Sequence, residues 1–371
     1  MSSLKILLIE PYYGGSHQAW ADGYAAHSQH HITLLTLPGQ FWKWRMQGGA
    51  VTCARLVGEQ DIHADLVVVS DMLNLATFRA LTRDRFQNTP IVLYFHESQL
   101  TYPQNTRQSH GWRYGFINYI SALAADHVYF NSAYHQDIFF STLPNMLKHF
   151  ADYNELQTIE ILRAKSSVLP VGINLKRFDK YEVLREDLTS TAPLIIWNHR
   201  WEEDKNPQAF FQALRQLVAW DLDFRVAITG QNFQKQPDAF ESIRAQLGER
   251  FVAFGYLQDF ADYAALLGAA DYVVSTAQQE FFGMAIVEAM YCGCMPILPN
   301  RLNYPDLIPA ALADACLYRE ESPAYLLRRH LNNEFSIDRK KLQTHVAPYD
   351  WSRMVTVYDD TFTKLAEQVA P

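Results

Sequence analysis

Short runs of aliphatic and aromatic residues alternate along the chain with longer segments of mixed polarity. Such runs are typical of strands buried on both faces of a parallel sheet, and the longer segments suit the helices that connect such strands. The first series consists of LKILLIE, HITLLTL, ADLVVVS, TPIVLYF, DHVYFNS and SSVLP. This alternation predicts an α/β fold built on parallel sheets.

The alternation restarts after a polar segment over residues 179–192. The second series consists of PLIIWNH, FRVAITG, RFVAFGY, DYVVSTA and CMPILPN. At 371 residues the chain is also longer than one hydrophobic core usually supports. We therefore predict two α/β domains, over residues 1–185 and 186–371, with a terminal helix in the stretch that begins DWSRM.

Several functional classes are disfavoured by composition. No apolar run approaches the ~20 residues of a membrane span, and MSSLKILLIEPYY is typical of a first strand rather than a signal peptide. We expect a cytoplasmic protein with no membrane partner and no obligate protein partner. The cysteines, which have no repeated CxxC spacing, favour reduced thiols over a zinc site: Cys53, Cys292, Cys294 and Cys316.

The net charge of −8 is unevenly distributed. Residues 1–185 carry 16 Lys and Arg against 15 Asp and Glu, whereas the remainder carries 16 against 25. Ten of the thirteen histidines also lie before residue 185. The N-terminal half is therefore the better host for an anionic partner.

Ligands of open α/β sheets bind at the carboxyl ends of the strands. Gly14 and Gly15 follow the first predicted strand, where they permit a tight turn close to a ligand, although such pairs often have only a geometric role. His17 could reach acceptor hydroxyls or cap the turn. His96 follows TPIVLYF and could bind a sugar or carry a proton, or it could be structural.

Two charged motifs follow strands of the second series. Arg200 and Lys205 could meet at a diphosphate and stabilise a leaving nucleoside diphosphate, or they could belong to a solvated loop. Glu280 and Glu288 bracket the turn and helix start at Phe281–Met284. Glu288 lies in an otherwise uncharged segment, so we expect a specific partner for it. The candidate donor-binding residues between the two acids are Phe281, Phe282, Gly283 and Met284.

The stretch from Glu280 to Glu288 resembles the paired-glutamate signature of retaining family-4 glycosyltransferases. That resemblance implies a GT-B fold, in which two Rossmann-like domains face each other across a central cleft and the C-terminal helix can cross back. It also implies catalysis without a metal or other cofactor, with a nucleotide sugar as co-substrate. His199 departs from the glycine that often precedes the arginine of the family.

Roles for the candidate residues follow from the same resemblance. Arg200 and Lys205 would stabilise the leaving diphosphate, and Glu280 would position the sugar hydroxyls. Glu288 would hold the ribose, and His96 would bind the transferred sugar. Gly15 would let its loop approach the phosphates when the domains close.

A narrower resemblance extends over most of the chain. The blocks IEPYYGGSHQAW, TLPGQFWKWR, YFHESQLTYP, YGFINYISALAAD, WNHRWEEDKNP and STAQQEFFGMAIVEAMYCGCMPILP are similar to those of the tRNA-queuosine alpha-mannosyltransferase family. This resemblance implies transfer of mannose from GDP-mannose to the cyclopentenediol of queuosine in tRNA.

Aromatic and basic residues in the N-terminal half suit an RNA acceptor. Stacking combined with phosphate contacts is how single-stranded bases are recognised, although adjacent tryptophans are as often packing residues. The candidates are Trp42, Lys43, Trp44, Arg45, Arg107 and Arg113, with Tyr102, Gln104 and the Arg339–Lys341 cluster as further candidates. The last cluster also fits a solvated helix face.

Three alternatives remain open at this stage. A family-4 transferase could act on a lipid or polysaccharide, but no basic amphipathic helix is evident over residues 40–60 or 100–120. A non-catalytic protein that binds RNA or nucleotides on the same fold is disfavoured by the intact charged motifs. A nucleotide-sugar epimerase on the same fold is the third alternative. Analysis of the products formed without an acceptor would reveal it.

Overall fold

The computed structural model describes residues 3–101, 111–181, 192–231, 237–319, 322–335 and 338–369. The chain forms two compact units. The first comprises Met1–Asn174 together with Trp351–Pro371, and the second comprises Leu175–Asp350.

The first unit contains a sheet of six parallel strands in the order β2-β1-β3-β4-β5-β6. The strand order reverses at β1, which pairs with both β2 and β3, so ligands are expected beside the carboxyl ends of these strands. The two central strands β3 and β4 are buried along their whole length. The strands are β1 (Lys5–Tyr13), β2 (His31–Pro38), β3 (Leu66–Ser70), β4 (Ile91–Phe95), β5 (His127–Phe130) and β6 (Ser166–Val168).

Helices of the first unit connect these strands and cover the sheet. The buried side chains of the sheet and of the helices form a continuous core that includes Leu7, Val69, Phe95 and Phe139. The connecting helices are α1 (Gly15–His27), α2 (Trp42–Glu59), α3 (Leu75–Leu81), α4 (Arg83–Phe86), α5 (Gly111–Ala124), α6 (Ala133–Leu147) and α7 (Thr158–Ala164).

The second unit has its own parallel sheet, in the order β12-β11-β10-β7-β8-β9. The order reverses at β7, which pairs with both β8 and β10. All five runs of the second series are strands, and the sequence missed only the two-residue strand β12. The strands are β7 (Leu194–Asn198), β8 (Arg225–Thr229), β9 (Phe251–Gly255), β10 (Tyr272–Val274), β11 (Met295–Pro299) and β12 (Leu317–Tyr318).

Seven α-helices accompany the second sheet among the described residues. Helix α8 begins at a Pro and is capped by Asn206, whose side chain accepts from the N–H of Ala209. The helices are α8 (Pro207–Ala219), α9 (Pro237–Leu247), α10 (Phe260–Ala269), α11 (Met284–Tyr291), α12 (Ala313–Cys316), α13 (Pro323–Leu331) and α14 (Arg339–Val346).

The predicted terminal helix is present as α15 (Trp351–Val369), but it belongs to the first unit. Tyr358 accepts from Trp20 at 3.0 Å, and buried Asp359 accepts from the Tyr24 hydroxyl at 2.9 Å. These contacts, together with its apolar face, hold α15 against α1. The units therefore divide differently from the predicted domains: the first break falls after residue 174, and the last helix lies outside the second unit.

Among the described residues, none of the helices combines the length and apolar composition needed to cross a bilayer. The four cysteines are free thiols.

Candidate active site

In the glycine turn after β1, the backbone favours glycine at Gly15, whereas an added Cβ at Gly14 would make only an ordinary 3.5 Å contact with Gly39. Gly14 precedes α1, and its backbone packs against Gly39, where an added Cβ would lie 3.1 Å from the Gly14 backbone. Gly15 has a φ of +55°, in the left-handed region that favours glycine. This turn starts α1 so that its first buried side chain, His17, lies beside the end of β1.

His17 forms a buried ion pair with Glu10, which lies near the end of the buried part of β1. The distance from His17 Nδ1 to Glu10 Oε2 is 3.0 Å. Burial alone would lower the pKa of His17, but the Glu10 carboxylate outweighs it and raises the pKa to about 9. His17 is therefore a cation at neutral pH, held inside the unit rather than presented at its surface.

The neutral imidazole of His96 lies next to this pair. Its ring centroid is 4.3 Å from that of His17 and 4.6 Å from that of Trp20. Burial, followed by the charge of His17, lowers the pKa of His96 well below the ordinary histidine value. Within the described part of the chain, His96 Nε2 is buried without a hydrogen-bond partner. A ligand hydroxyl could satisfy this atom.

Asp71, which follows β3, fixes the backbone that carries His96. Its Oδ1 accepts the N–H of His96 at 2.8 Å. Burial raises the pKa of Asp71 to about 8, against the opposing charge of His17. We name Glu10, His17, Asp71 and His96 the N-terminal polar cluster. The sequence analysis missed both of its acids.

Three members of this cluster could in principle hold a metal ion. The ligand atoms of Glu10, His17 and His96 lie within 4.8 Å of one another. However, Glu10 and His17 already satisfy each other as an ion pair, and the raised pKa of His17 opposes the neutral form that a metal requires. Catalysis without a metal stays a prediction.

In the second unit, the predicted cation Lys205 and the predicted acid Glu280 lie side by side. Lys205 is buried, and its Nζ lies 2.7 Å from the Gln279 carbonyl and 3.5 Å from Glu280 Oε2. Burial would lower the pKa of Lys205, but the carboxylates of Glu280 and Asp204 raise it. Burial would raise the pKa of Glu280, but Lys205 lowers it. Both side chains are therefore charged, and the charged state of each is stabilised by the opposite charge of the other.

Arg200 lies on a loop that passes very close to another backbone segment. An added Cβ at Gly230, where φ is +133°, would lie 1.9 Å from the His199 carbonyl oxygen, so only glycine fits there. Burial, followed by the charge of Lys205, lowers the pKa of His199 to about 3. The half-exposed Arg200 lies 3.3 Å from Glu202, and its charge acts on both Lys205 and Glu280.

The start of α11 is organised by Glu280. Its Oε1 accepts the N–H groups of Phe281 at 3.1 Å and Phe282 at 3.4 Å, and both phenyl rings are buried. Gly283 has a φ of +98° and precedes the first residue of the helix, Met284. Phe281 and Phe282 are thus positioned to shape this turn, and contact with a donor would fall to backbone groups near Gly283 and Met284.

The expectation of a specific partner for Glu288 is confirmed. Its Oε1 accepts from Arg177 at 2.7 Å, and its Oε2 accepts from the Tyr263 hydroxyl at 3.0 Å. Asn198 donates to the same hydroxyl at 3.2 Å. Burial raises the pKa of Glu288 despite the opposing effects of Arg177 and Tyr263. Each carboxylate oxygen retains a further lone pair that can accept a hydrogen bond from a ribose hydroxyl. Binding of ribose by Glu288 stays a prediction.

Most candidate acceptor residues lie where α2 begins and α5 passes. Trp42 packs on Tyr114 with ring centroids 5.0 Å apart, and Arg113 donates to Gln47 at 2.8 Å. Arg45 donates to the Pro38 carbonyl at 3.2 Å, which ties its guanidinium to the end of β2. Lys43 and Trp44 are exposed. Tyr102, Gln104 and Arg107 lie outside the described residues.

Arg339, a further candidate for phosphate contact, is bonded within the second unit. It donates to the carbonyls of Asp271 and Gly293 at 3.1 and 3.0 Å, and to the Asp271 carboxylate at 3.2 Å. These bonds tie the start of α14 to the residues just before β10 and β11. The neighbouring Lys340 and Lys341 fit the solvated helix face that the sequence left open.

Three residues of the candidate sites, Glu10, Asp71 and Arg177, were not predicted from the sequence, and only two of them are marked by a local sequence pattern. Glu10 is the only charged residue of ILLIEPYY, and Asp71 directly follows the buried strand LVVVS, so both could have been found as acids beside largely apolar runs. Arg177 lies in a polar segment far from Glu288 in sequence. No local pattern marks it, because its pairing is a tertiary contact.

Comparisons with known proteins extend over both units. Residues 5–173 match the family described as tRNA-queuosine alpha-mannosyltransferase N-terminal, and residues 182–340 match glycosyl transferases group 1. A tRNA-queuosine alpha-mannosyltransferase of Drosophila melanogaster is 37% identical over 310 residues, which cover 82% of this chain and 81% of the relative.

More distant similarities concern parts of the chain or the fold alone. A GDP-mannose:cellobiosyl-diphosphopolyprenol alpha-mannosyltransferase of Xanthomonas oryzae pv. oryzae is 24% identical over 201 residues, 53% of this chain and 52% of the relative. The catalytic domain of starch synthase IV from Arabidopsis thaliana, bound to ADP and acarbose, aligns with a TM-score of 0.69 at 12% identity, over 99% of this chain and 100% of that one. The predicted GT-B class is confirmed.

The Glu10–His17 pair predicts a pH-dependent contribution to stability. The pKa of His17 is raised from 6.5 to about 9 in the folded state, so the contribution is complete below pH 6.5 and is lost as pH rises through 9. Glu10→Gln should remove it, at a cost of roughly 3 kcal/mol near pH 6. Urea unfolding of both proteins between pH 6 and 9.5 measures the difference, which should vanish or reverse at the upper end.

The matched control is Glu59→Gln, which removes an exposed carboxylate that pairs with Arg55 on the same unit. Its effect on unfolding should be small across the pH range. A Glu10→Gln difference that does not vary with pH would contradict the assignment of charge to His17.

Proposed function

The chain belongs to the tRNA-queuosine alpha-mannosyltransferase family, and on that basis we propose that it transfers mannose from GDP-mannose to the cyclopentenediol of queuosine in tRNA. It is a hexosyltransferase of the GT-B type. The structural observation that carries the proposal is the meeting of Lys205, Glu280 and Arg200 at the switch point of the second sheet, between β7 and β10.

The relatives favour a tRNA acceptor over a lipid. The name of the Drosophila relative refers to tRNA-queuosine, and the similarity extends over most of both chains. The Xanthomonas relative, whose name refers to a polyprenol-linked acceptor, is similar over about half of each chain and at lower identity. Both names specify mannose, and the second specifies GDP-mannose. Reduced, free cysteines suit the cytoplasm, where we propose that the enzyme acts.

In the proposed step, the bond between the anomeric carbon of mannose and the diphosphate oxygen breaks. A bond forms from the acceptor hydroxyl oxygen to that carbon, and the hydroxyl proton passes to water. GDP leaves with the bonding electrons, so negative charge develops on its diphosphate. Arg200 and Lys205 would stabilise this charge without a metal, Arg200 by forked hydrogen bonds and Lys205 as a buried ammonium.

Acidic residues of the second unit would orient the donor. Glu280 is charged, and its Oε1 is fixed by two backbone N–H groups, so its remaining lone pairs can accept from sugar hydroxyls. Glu288 would accept from the ribose while Arg177 and Tyr263 hold it in place. Near Gly283, the first N–H groups of α11 have no acceptor inside their helix and would face the diphosphate.

His96 and the glycine turn are the proposed contributions of the first unit. The buried Nε2 of neutral His96 would bond a hydroxyl of the transferred sugar, and Gly15 would let the turn approach the phosphates. The cation His17 would act on His96 rather than on the acceptor, because it is bonded to Glu10 inside the unit. We further propose that the anomeric configuration of mannose is retained, as in the family that the glutamate signature resembles.

The direct test incubates the protein with GDP-mannose and queuosine-containing tRNA in the presence of EDTA, followed by mass analysis of the nucleosides. A hexose should be added to queuosine, and tRNA that lacks queuosine should stay unchanged. The proposal would be overturned if the preparation added no hexose from GDP-mannose to queuosine but transferred hexose from another donor or to a lipid acceptor. If EDTA abolished transfer, catalysis without a metal would be refuted.

Arg200→Ala should reduce the rate of mannosyl transfer by about 100-fold or more, since loss of one donor to a developing anion has effects of this size. Its side chain is half exposed and its ion pair with Glu202 is a surface one, so the melting temperature should hardly change. Arg215→Ala, at an exposed arginine on α8, is the control and should retain full activity. Wild-type turnover by the Arg200 variant would remove Arg200 from the mechanism.

A further inference from the structure

Two large aromatic side chains at the start of α2 are exposed. Phe41 is 74% exposed and Trp44 is 61% exposed. Phe41 directly precedes the helix with a φ of +54°, a strained conformation for a bulky residue. Its carbonyl accepts the N–H groups of Trp44 and Arg45 at 2.8 and 3.1 Å, so the backbone is fixed while the phenyl ring faces solvent.

The indole of Trp44 contacts its own helix at Gly48. An added Cβ at Gly48 would lie 2.6–2.9 Å from three atoms of the indole. The absence of a side chain at Gly48 therefore lets the indole approach the helix closely, while most of the residue stays exposed. Such a ring needs little further ordering to stack on a planar ligand.

Other aromatic residues pack the same end of α2 against the first unit. Trp42 and Tyr114 pack together and, with Tyr12, cover the small core of Met46, Met72 and Ile117. Trp42 is thus mainly a packing residue, although the sequence placed it among the acceptor contacts. The helix that carries Trp44 is therefore anchored by the packing of Met46 and Trp42.

Two cations accompany the exposed rings. Lys43, which lies between them in the sequence, is exposed with its ammonium 5.6 Å from the centroid of the Trp42 ring. Arg113 of α5 is held beside α2 by its 2.8 Å bond to Gln47. Gln47 in turn donates to Tyr114 at 2.9 Å. Helix α5 contains no acidic residue, and the only acid of α2 is Glu59 at its far end. The charge around the rings therefore favours an anionic ligand.

We propose that Phe41, Lys43, Trp44 and Arg113, here named the aromatic–cationic patch, bind the unpaired nucleotides of an RNA loop. Bases stack on the exposed rings of Trp44 and Phe41, and Lys43 and Arg113 bind the flanking phosphates. Exposed rings interleaved with cations suit single-stranded RNA, because the bases of a duplex are already stacked on one another. The inference rests on the proposed function and adds to it the surface that receives the tRNA loop.

Fluorescence anisotropy with a labelled RNA stem–loop that lacks queuosine tests the patch without donor. Trp44→Ala should weaken binding by about 5- to 100-fold, the range for loss of one stacked base. Trp44→Phe keeps a ring and should restore most of the affinity. Tyr153→Ala, at a side chain that is 88% exposed on the same unit, should bind like the wild type. Equal binding by Trp44→Ala and the wild type would overturn the proposal.

The cations are tested by the dependence of affinity on salt. Lys43→Gln and Arg113→Gln should each reduce the slope of log affinity against log salt by about one, as expected for one lost phosphate contact. A blunt duplex of equal length should bind more weakly than the stem–loop and should be insensitive to Trp44→Ala. Equal affinity for the duplex would show that the surface attracts charge without recognising unpaired bases.

Failure of the patch and failure of the proposed function give different results. If the wild type mannosylates queuosine tRNA and Trp44→Ala does so with an unchanged KM for tRNA, the patch is wrong and the function stands. If stem–loop binding depends on Trp44 but the wild type transfers no mannose to tRNA, the acceptor assignment is wrong and the RNA surface stands. Preferential binding of phospholipid vesicles over the stem–loop would refute the RNA assignment.

Discussion

Buried charge at the carboxyl ends of parallel strands is the constraint on which both candidate sites depend. An unpaired charge in such surroundings is costly, so each one needs a partner of opposite sign. In the first unit Glu10 is balanced by His17, and in the second unit Glu280 is balanced by Lys205 and Glu288 by Arg177. These pairs set the charge states of the groups around them. His17 is a cation because Glu10 is buried beside it, and His96 is neutral partly because His17 is charged.

The topology of each sheet determines where these pairs can form. A parallel sheet whose strand order reverses leaves adjacent loops free to diverge at the switch point. In the second unit the loops after β7 and β10 carry Lys205 and Glu280, and the strict requirement for glycine at Gly230 shapes the loop that bears Arg200. The same acid that neutralises Lys205 also fixes the turn before α11. One ion pair therefore organises both the proposed phosphate site and the proposed sugar site.

The sequence predicted the strands well because buried parallel strands have a strong local signature. It also singled out Arg200, Lys205, Glu280 and Glu288 as candidates, since charged residues after or within apolar runs are visible without tertiary information. The partners of these residues could not be found in the same way. Arg177 lies 111 positions from Glu288, and α15 joins the first unit through contacts with α1 more than 300 positions away. Pairings of that kind depend on how the chain folds back, which local patterns do not encode.

The central claim is that the Lys205–Glu280 pair serves the transfer reaction as well as the fold. The most direct test is the rate of mannosyl transfer to queuosine tRNA by the double variant Lys205→Met/Glu280→Gln. Lys205→Met alone leaves both Glu280 and Asp204 without their cation, whereas the double variant leaves only Asp204, so urea unfolding should find the double variant more stable than Lys205→Met alone. The account predicts a folded protein whose transfer rate is reduced by about 100-fold or more. A folded double variant that transfers mannose at the wild-type rate would contradict it.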